Sequence, residues 1–317
     1  MLDSLPVHAV TSLSRAGALS IGAVICAAGL WIALRGPALP GGETPPASER
    51  IPNFAPNDRV SWYPDRLDGD QWLPPQPGDV GPIMSRPDYP YVPNDASDQP
   101  TYRIADLTNP ILQPWVRAQM ERDNNEVLAG KIPFMARERC YPPGPVAWNV
   151  FRRVTPPMVF FVQQPTFVLL AYRGDNQIRH VYLNVPHSPN PKPSWNGESV
   201  GHYENGDTLV VDTIGVLAHP LSFVDNYRTP HSDQLHVVER YRLSADGKEI
   251  DVTVQVEDPG AFTMPWTARQ HYALSEEGPI EEAICAEGAG RGTDIFNWGL
   301  SHAKDIVPMP QDDTPDF

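Results

Sequence analysis

The sequence predicts a mainly β protein. It is expected to be an antiparallel β-sandwich or open barrel with one or two peripheral helices, preceded by a transmembrane helix and an extended proline-rich strap. Three observations predict this. Residues Ala16 to Leu34 run for 19 positions without a charge, between Arg15 and Arg35. Many of the 37 prolines crowd the stretch that follows, from Gly36 to Pro100. Beyond Met158, short runs of Val, Phe, Leu and Tyr are separated by Gly, Asn and Asp turns.

The apolar stretch comes first in the chain. At about 1.5 Å per residue it is long enough to cross the hydrocarbon core of a bilayer as a helix. It is longer than the apolar core of a signal peptide, and Arg35-Gly36-Pro37-Ala38-Leu39-Pro40 offers no small-residue cleavage pattern. The expectation is a retained anchor over 16–35 that follows a short cytoplasmic segment, 1–15. Ala16, Ile21, Val24, Leu30, Trp31 and Leu34 would face lipid or neighbouring helices, with Trp31 near the interface. Arg15 and Arg35 nearly cancel the positive-inside bias. Cysteine usage and the acidic body favour placing the bulk of the chain on the periplasmic side of an inner membrane.

Residues 36–107 read as the strap. Proline at this density prevents regular helix and hinders joining a sheet. A solvated linker would be poor in aromatics, whereas this stretch holds Phe54, Trp62, Tyr63, Trp72, Tyr89 and Tyr91. The pattern suits an extended chain that lies on a partner's surface.

Residues 108–307 are expected to form the β-domain with a packing helix, before an acidic tail at 308–317. The helix is predicted over 108–130, capped by Thr108 or Asn109, with Pro110 in its first turn and Gly130 at its end. Its Trp115 stripe is expected to pack on a sheet. Strands are expected at 158–161, 166–172, 177–183, 199–203, 208–213, 235–243, 250–257, 269–274 and 281–285. Short connections predict an antiparallel meander throughout. A short helix is expected over 296–307. Trp266, Phe262 and Tyr272 read as core.

The net charge of −15 excludes a phosphate-backbone footprint, so no nucleic-acid partner is expected. Of three cysteines, Cys26 lies in the apolar stretch. If the body is exported, Cys140 and Cys285 are expected to form a disulfide; the alternative is two buried free thiols. No C-x-x-C, haem-attachment or zinc spacing is present, so an electron carrier has no ligands to offer. There is no G-x-S-x-G elbow, and Gly288 to Gly292 lacks a Walker lysine. No catalytic residue and no cofactor are therefore expected.

A metal site is conceivable from His231, His236, Asp212 and Glu239. His236 and Glu239 are three apart on a strand and point to opposite faces, so they would not chelate one ion together. The simpler expectation for all four is hydrogen-bonded structural residues.

Several segments carry a resemblance: Trp195-Asn196-Gly197-Glu198-Ser199-Val200-Gly201, Gly206 to Thr213, Pro230-His231-Ser232, Leu235 to Arg240, Cys140-Tyr141-Pro142-Pro143-Gly144 and the late Cys285. Together, over roughly 108–287, they resemble a large family of exported bacterial β-domain proteins without established activity. Many members carry His where Glu198 stands and Arg-Trp where His202 and Tyr203 stand, and the chain departs from the family pattern there. The combination of anchor, aromatic strap and β-domain is also similar to accessory subunits, of the subunit S type, of a bacterial photosynthetic reaction centre held in an antenna ring. That resemblance implies a non-enzymatic structural role with no cofactor of its own. Its partners would be reaction-centre and antenna polypeptides, and membrane lipid. The alternative is an exported small-molecule-binding protein or enzyme with a pocket in the β-domain.

Overall fold

The computed structural model describes residues 50–64, 75–90, 104–129, 131–132, 141–146, 158–173, 177–280 and 305–306. The predicted anchor, Trp72, Tyr91, Cys140, Cys285 and the expected strand at 281–285 lie outside them. Among the described residues no helix is long and apolar enough to cross a membrane.

The elements in chain order are β1 (Ser61–Pro64), α1 (Pro114–Leu128), β2 (Lys131–Ile132), β3 (Val159–Gln163), β4 (Phe167–Tyr172), β5 (Gln177–Leu183), β6 (Glu198–Glu204), β7 (Thr208–Ile214), β8 (His236–Leu243), β9 (Glu249–Glu257), β10 (Trp266–Ser275) and β11 (Asp305–Ile306). Nine strands close a barrel in the order β1-β10-β9-β8-β7-β6-β5-β4-β3, and β1 returns to β3. β2 and β11 form a separate parallel pair. Where a final helix was expected over 296–307, the described positions Asp305–Ile306 are thus strand.

The strands follow their side-chain alternation. In β9 Ile250, Val252, Val254 and Val256 are buried while Glu249, Asp251, Gln255 and Glu257 are exposed. β8 turns Val237, Glu239 and Tyr241 inward. At the β6–β7 turn Asn205 and Gly206 both take positive φ, 55° and 75°, as the Asn-Gly signal requires.

Closure corrects two expectations. The sheet is a closed barrel, neither a sandwich nor an open one. Nor is the pairing antiparallel throughout. An odd number of strands cannot alternate direction around a ring, so at least one neighbouring pair must run parallel. That pair is β5–β6, joined only through Val181↔Ser199, Tyr182↔Val200 and Leu183↔Gly201. A parallel pair needs a return crossover. Here the crossover is the loop 184–197, which carries Pro186, Pro189, Pro191 and Pro193 up the outer wall instead of a helix. Its ends are fixed by Asn184 N–H donating to Gly201 O at 2.8 Å and Ser194 N–H donating to Gly215 O at 3.1 Å.

Gly201 is what lets this seam close. A Cβ there would lie 2.6 Å from Val210 O and 2.9 Å from Val181 Cγ1. Gly201→Ala is expected to cost about 1–3 kcal/mol through overpacking, measured by urea unfolding.

The strap reading changes for its first aromatics. Trp62 is on β1, paired with Leu274 of β10 and Val159 of β3, and is fully buried, as is Phe54. Phe54 stacks on Phe161 at 4.8 Å, and its carbonyl accepts from the Trp62 indole N–H at 2.8 Å. Gln163 fixes this segment by accepting from Phe54 N–H at 2.8 Å and donating to Pro52 O at 2.8 Å. These residues are this chain's own core and do not form a partner's contact surface. Tyr63 is half-buried on β1, against the cluster of Met158, Phe160 and Ala171. Tyr89 is exposed, with the Arg86 guanidinium 4.4 Å from its ring centre. The barrel domain therefore begins well before residue 108.

Helix α1 is shorter than expected because Asp106 and Asn109 use their side chains in local turns. Asp106 Oδ1 accepts from Thr108 N–H at 2.9 Å and Asn109 Oδ1 from Ile111 N–H at 3.1 Å. The helix begins instead after Gln113, with Pro114 in its first turn. It buries Val116, Met120, Asn124 and Val127. Trp115, expected on the packing face, is 48% exposed and donates its indole N–H to Gly260 O at 2.8 Å. Asn124 pairs reciprocally with the backbone of Ala105 at 2.9 and 3.0 Å. The helix packs at the barrel end formed by the β9–β10 connection, where Gln113 N–H donates to Ala261 O and Thr263 N–H to Ile111 O.

Candidate functional site

Three polar or aromatic constellations stand out, one inside the barrel and two outside it. The inner one is built on β5, β6, β7 and β8. Inward alternation on β5 places Arg179 in the interior, and the same alternation on β8 places Glu239 there; their side chains are 1% and 0% exposed. The Arg179 side chain passes beneath β6 and β7 to reach Glu239, with Nη2 2.5 Å from Oε2. On the way Nε donates to Ser199 Oγ at 3.1 Å and Nη2 to Thr213 Oγ1 at 2.6 Å. The Tyr241 hydroxyl donates to Glu239 Oε1 at 2.8 Å. Burial, reinforced by the Glu239 charge, pushes the Tyr241 phenol well above its ordinary range. Burial raises Tyr172 and Tyr272 too. All three phenols therefore stay neutral at any physiological pH. The Arg179 guanidinium is held charged against its own burial by Glu239.

Around this pair the interior is filled by large side chains. Trp62, Trp266, Tyr241, Tyr272, Phe161 and Leu170 are all buried there. The expected core set holds: Phe262, Trp266 and Tyr272 are each 2% exposed, and Phe262 meets Trp266 edge-to-face at 5.8 Å.

The second constellation lies on the outer wall of β6, β7 and β8. Asp212 Oδ1 faces His236 Nε2 at 2.9 Å and His187 Nε2 at 3.0 Å. His187, from the crossover loop, also faces Glu198 Oε1 with Nδ1 at 3.1 Å. Glu198 accepts from Ser188 twice, from its amide at 2.7 Å and its hydroxyl at 2.5 Å. Those bonds hold the Glu198 carboxyl below its usual range, the hydroxyl contributing most.

The four sequence-predicted metal candidates are not brought together. Asp212 and His236 do meet, on the outer wall. Glu239 points to the opposite face, as the two-residue strand period requires. His231 is buried in the β7–β8 loop, where Nε2 faces Ser222 Oγ at 2.7 Å and Nδ1 donates to Ser232 O at 2.8 Å. Burial lowers the His231 pKa, which suits a neutral ring accepting from Ser222. Among the described residues no group of His, Cys, Asp and Glu side chains is arranged to hold a metal ion.

His187 was missed as a member of the outer cluster. Its turn context, Pro186-His187-Ser188-Pro189, reads as surface, and nothing local signals that the loop crosses back over β6 and β7. Arg179 was missed as well. It follows Ile178 in an ordinary strand pattern, and its partner lies 60 residues further on.

The third feature joins two of the motifs noted in the sequence. Tyr141 stacks on Trp195 at 4.5 Å, and His219 closes the group at 4.9 Å from the Trp195 ring. Gly144 sits against this pair: a Cβ there would lie 3.4 Å from Trp195 O. On the wall formed by β3, β4 and β5, Val162, Ile178, Tyr182 and, just past β5, Val185 are exposed at 40–57%. On the same wall Phe167 stacks on His180 at 4.8 Å, and His180 meets Tyr182 at 4.4 Å with the rings tilted.

These features define a closed nine-stranded β-barrel with a filled, charge-paired interior and an outer wall that is apolar and aromatic on β3–β5 and polar on β6–β9. No family model matches the chain, and no curated protein matches it either.

Proposed function

We propose that this chain is a non-enzymatic, membrane-anchored extrinsic subunit that stabilises a membrane protein complex, the photosynthetic reaction centre within its light-harvesting ring. One observation carries the proposal: the 19-residue uncharged stretch Ala16 to Leu34 is joined in one chain to a β-domain. The packed interior and the exposed apolar residues Val162, Ile178, Tyr182 and Val185 support a surface-binding role over a pocket.

In this reading the anchor lies among neighbouring spans of an inner membrane, and the barrel rests on the periplasmic face. Partners are reaction-centre and antenna polypeptides, together with lipid; the acidic surface leaves nucleic acid out. Tethering raises the effective concentration of each modest contact, so no single interface has to be strong. Of the strap aromatics, the exposed Tyr89, with Trp72 and Tyr91, keeps the partner-binding assignment; Phe54 and Trp62 do not.

Deleting residues 1–35 is expected to lower occupancy of the barrel in the detergent-extracted complex by at least about tenfold, read by quantitative mass spectrometry. Unchanged co-purification would refute the anchor's role. Stabilisation of the purified protein by a small molecule, with no co-purifying subunits, would favour the pocket reading.

A further inference from the structure

The outer wall of β3, β4 and β5 carries no carboxylate, in a chain whose formal net charge is −15. The three strands contain no Asp or Glu, and their one Lys or Arg, Arg179, turns inward. The β3–β4 turn, Gln164-Pro165-Thr166, adds no charge. Strand register makes the wall continuous. Val162 faces Leu169 and Leu169 faces His180, while Phe167 faces Tyr182 one row further on. Ile178 precedes His180 on the same face. Val162, Ile178, His180 and Tyr182 are exposed, and Leu169 and Phe167 are half-buried. Toward β1 the wall is covered, with Phe160 and Ala171 buried against Met158 and Tyr63. The outward row of β9, by contrast, is Glu249, Asp251, Gln255 and Glu257.

A second observation concerns where the chain joins the barrel. It does so at the rim of this same wall. Gln163, next to Val162, donates to Pro52 O and accepts from Phe54 N–H, both at 2.8 Å. Ile51, beside Pro52, is 64% exposed, more than any other large apolar side chain among the described residues. Between Leu34 and Pro52 the chain can span at most about 65 Å. The segment that follows the apolar leader therefore enters the barrel beside its uncharged wall, and an apolar side chain stands exposed at the entry.

We propose that the β3–β5 wall is the face the barrel lays on the lipid bilayer: Val162 and Ile178 enter the boundary between headgroups and acyl chains, and Tyr182 and His180 keep their polar edges among the headgroups. This rests on the anchored reading above and adds to it which face meets lipid. Tyrosine suits that level because its ring is apolar and its tip is wet. Pressing a carboxylate against acyl chains costs its desolvation, so the acidic row of β9 is disfavoured there. A polypeptide partner would ask for directional pairing, about one hydrogen bond per 100–200 Å². The backbone of these strands is spent on the sheet ladders, and the exposed side chains of the wall are mostly apolar. A fluid lipid surface asks for no such pairing. The contact can be weak, because a tethered domain meets the surface at high effective concentration.

The test is hydroxyl-radical footprinting of the full-length protein in phosphatidylcholine nanodiscs, with no other subunit present. Tyr182 and Tyr89 serve as a matched pair, since they are 49% and 41% exposed and only Tyr182 lies on the wall. Oxidation of Tyr182 is expected to run at least about threefold slower than that of Tyr89. In the double variant Val162→Glu, Ile178→Glu the two rates are expected to become equal while the protein stays in the nanodisc fraction. Both side chains are exposed, so the barrel is expected to keep its fold. Equal rates in the wild-type protein held in the nanodisc would overturn the docking and leave the anchor standing. So would a double variant that keeps the wild-type protection, or a Tyr182 protected only once reaction-centre and antenna polypeptides are restored, which would give the wall to protein. A chain that washes off the nanodiscs in high salt would refute the anchored reading itself, and the docking with it.

Discussion

Glu239→Leu is expected to destabilise the protein by about 3–5 kcal/mol, among the largest effects of any single substitution in the chain. The reason is asymmetric. The Arg179 guanidinium is charged and sealed inside the barrel, and Glu239 is its counter-ion. Removing the carboxylate leaves a buried cation with only neutral hydroxyls, Ser199 and Thr213 among them, to solvate it. It also leaves the Tyr241 hydroxyl without its acceptor. Arg179→Met should cost about as much by stranding the carboxylate instead. The double variant is a different case. With both charges gone, two apolar side chains fill similar volume, and most of the loss should be recovered. Guanidinium unfolding of the four proteins gives the coupling directly. Additive losses in the double variant would mean that the two side chains act independently.

Trp62→Ala should rank beside it, at about 3–5 kcal/mol. Trp62 fills the barrel interior, and β1 meets β3 through one register pair, Trp62↔Val159. Truncation opens a cavity at the thinnest seam and leaves the Phe54 carbonyl without its indole donor. The effect separates the two meanings of an aromatic in this region. A partner-facing aromatic such as Tyr89 should change stability by no more than about 0.5 kcal/mol when replaced by alanine. A small loss for Trp62→Ala would return β1 to the strap.

The contrast between these two residues also shows where the sequence was legible. Alternation in Glu249–Glu257 and His236–Leu243 named both strands to within a residue or two, because one face of each is buried and the period is two. The turn at Asn205-Gly206 was equally plain, since both positions need φ above zero. Ser61–Pro64 was not legible. It is four residues long, ends on a proline, and is too short to display a period. What makes it a strand is its pairing with Trp266–Ser275, about 200 positions away. Closure itself could not be read for the same reason: whether a run of strands ends as an open sheet or a ring depends on that single distant partner. Parity then forces a parallel pair, and the parallel pair forces the crossover that brings His187 to Asp212. The outer cluster is thus a consequence of closure, and local sequence around His187 holds no trace of it. Glu239 was placed correctly on the face opposite His236, but its counter-ion on β5 depended on the same unseen ring.

Trp115 failed for a more local reason. Near-helical spacing put it on one stripe with Ile111, Leu112, Val116, Met120, Val127 and Leu128, but Asp106 and Asn109 hold the first part of that stretch in turns, and the helix starts later. The buried face then runs through Val116, Met120 and Val127, with Trp115 at its margin.

The central claim is that the apolar leader stays on the mature chain and holds the barrel beside other membrane subunits. A mass-spectrometric inventory of native membrane assemblies, taken from detergent extracts of the source cells, tests it most directly. The expected result is a chain that retains peptides covering Ala16 to Leu34 and is present in fixed ratio to reaction-centre and antenna polypeptides. A chain that begins beyond Leu39 and is recovered free in the soluble fraction would contradict it.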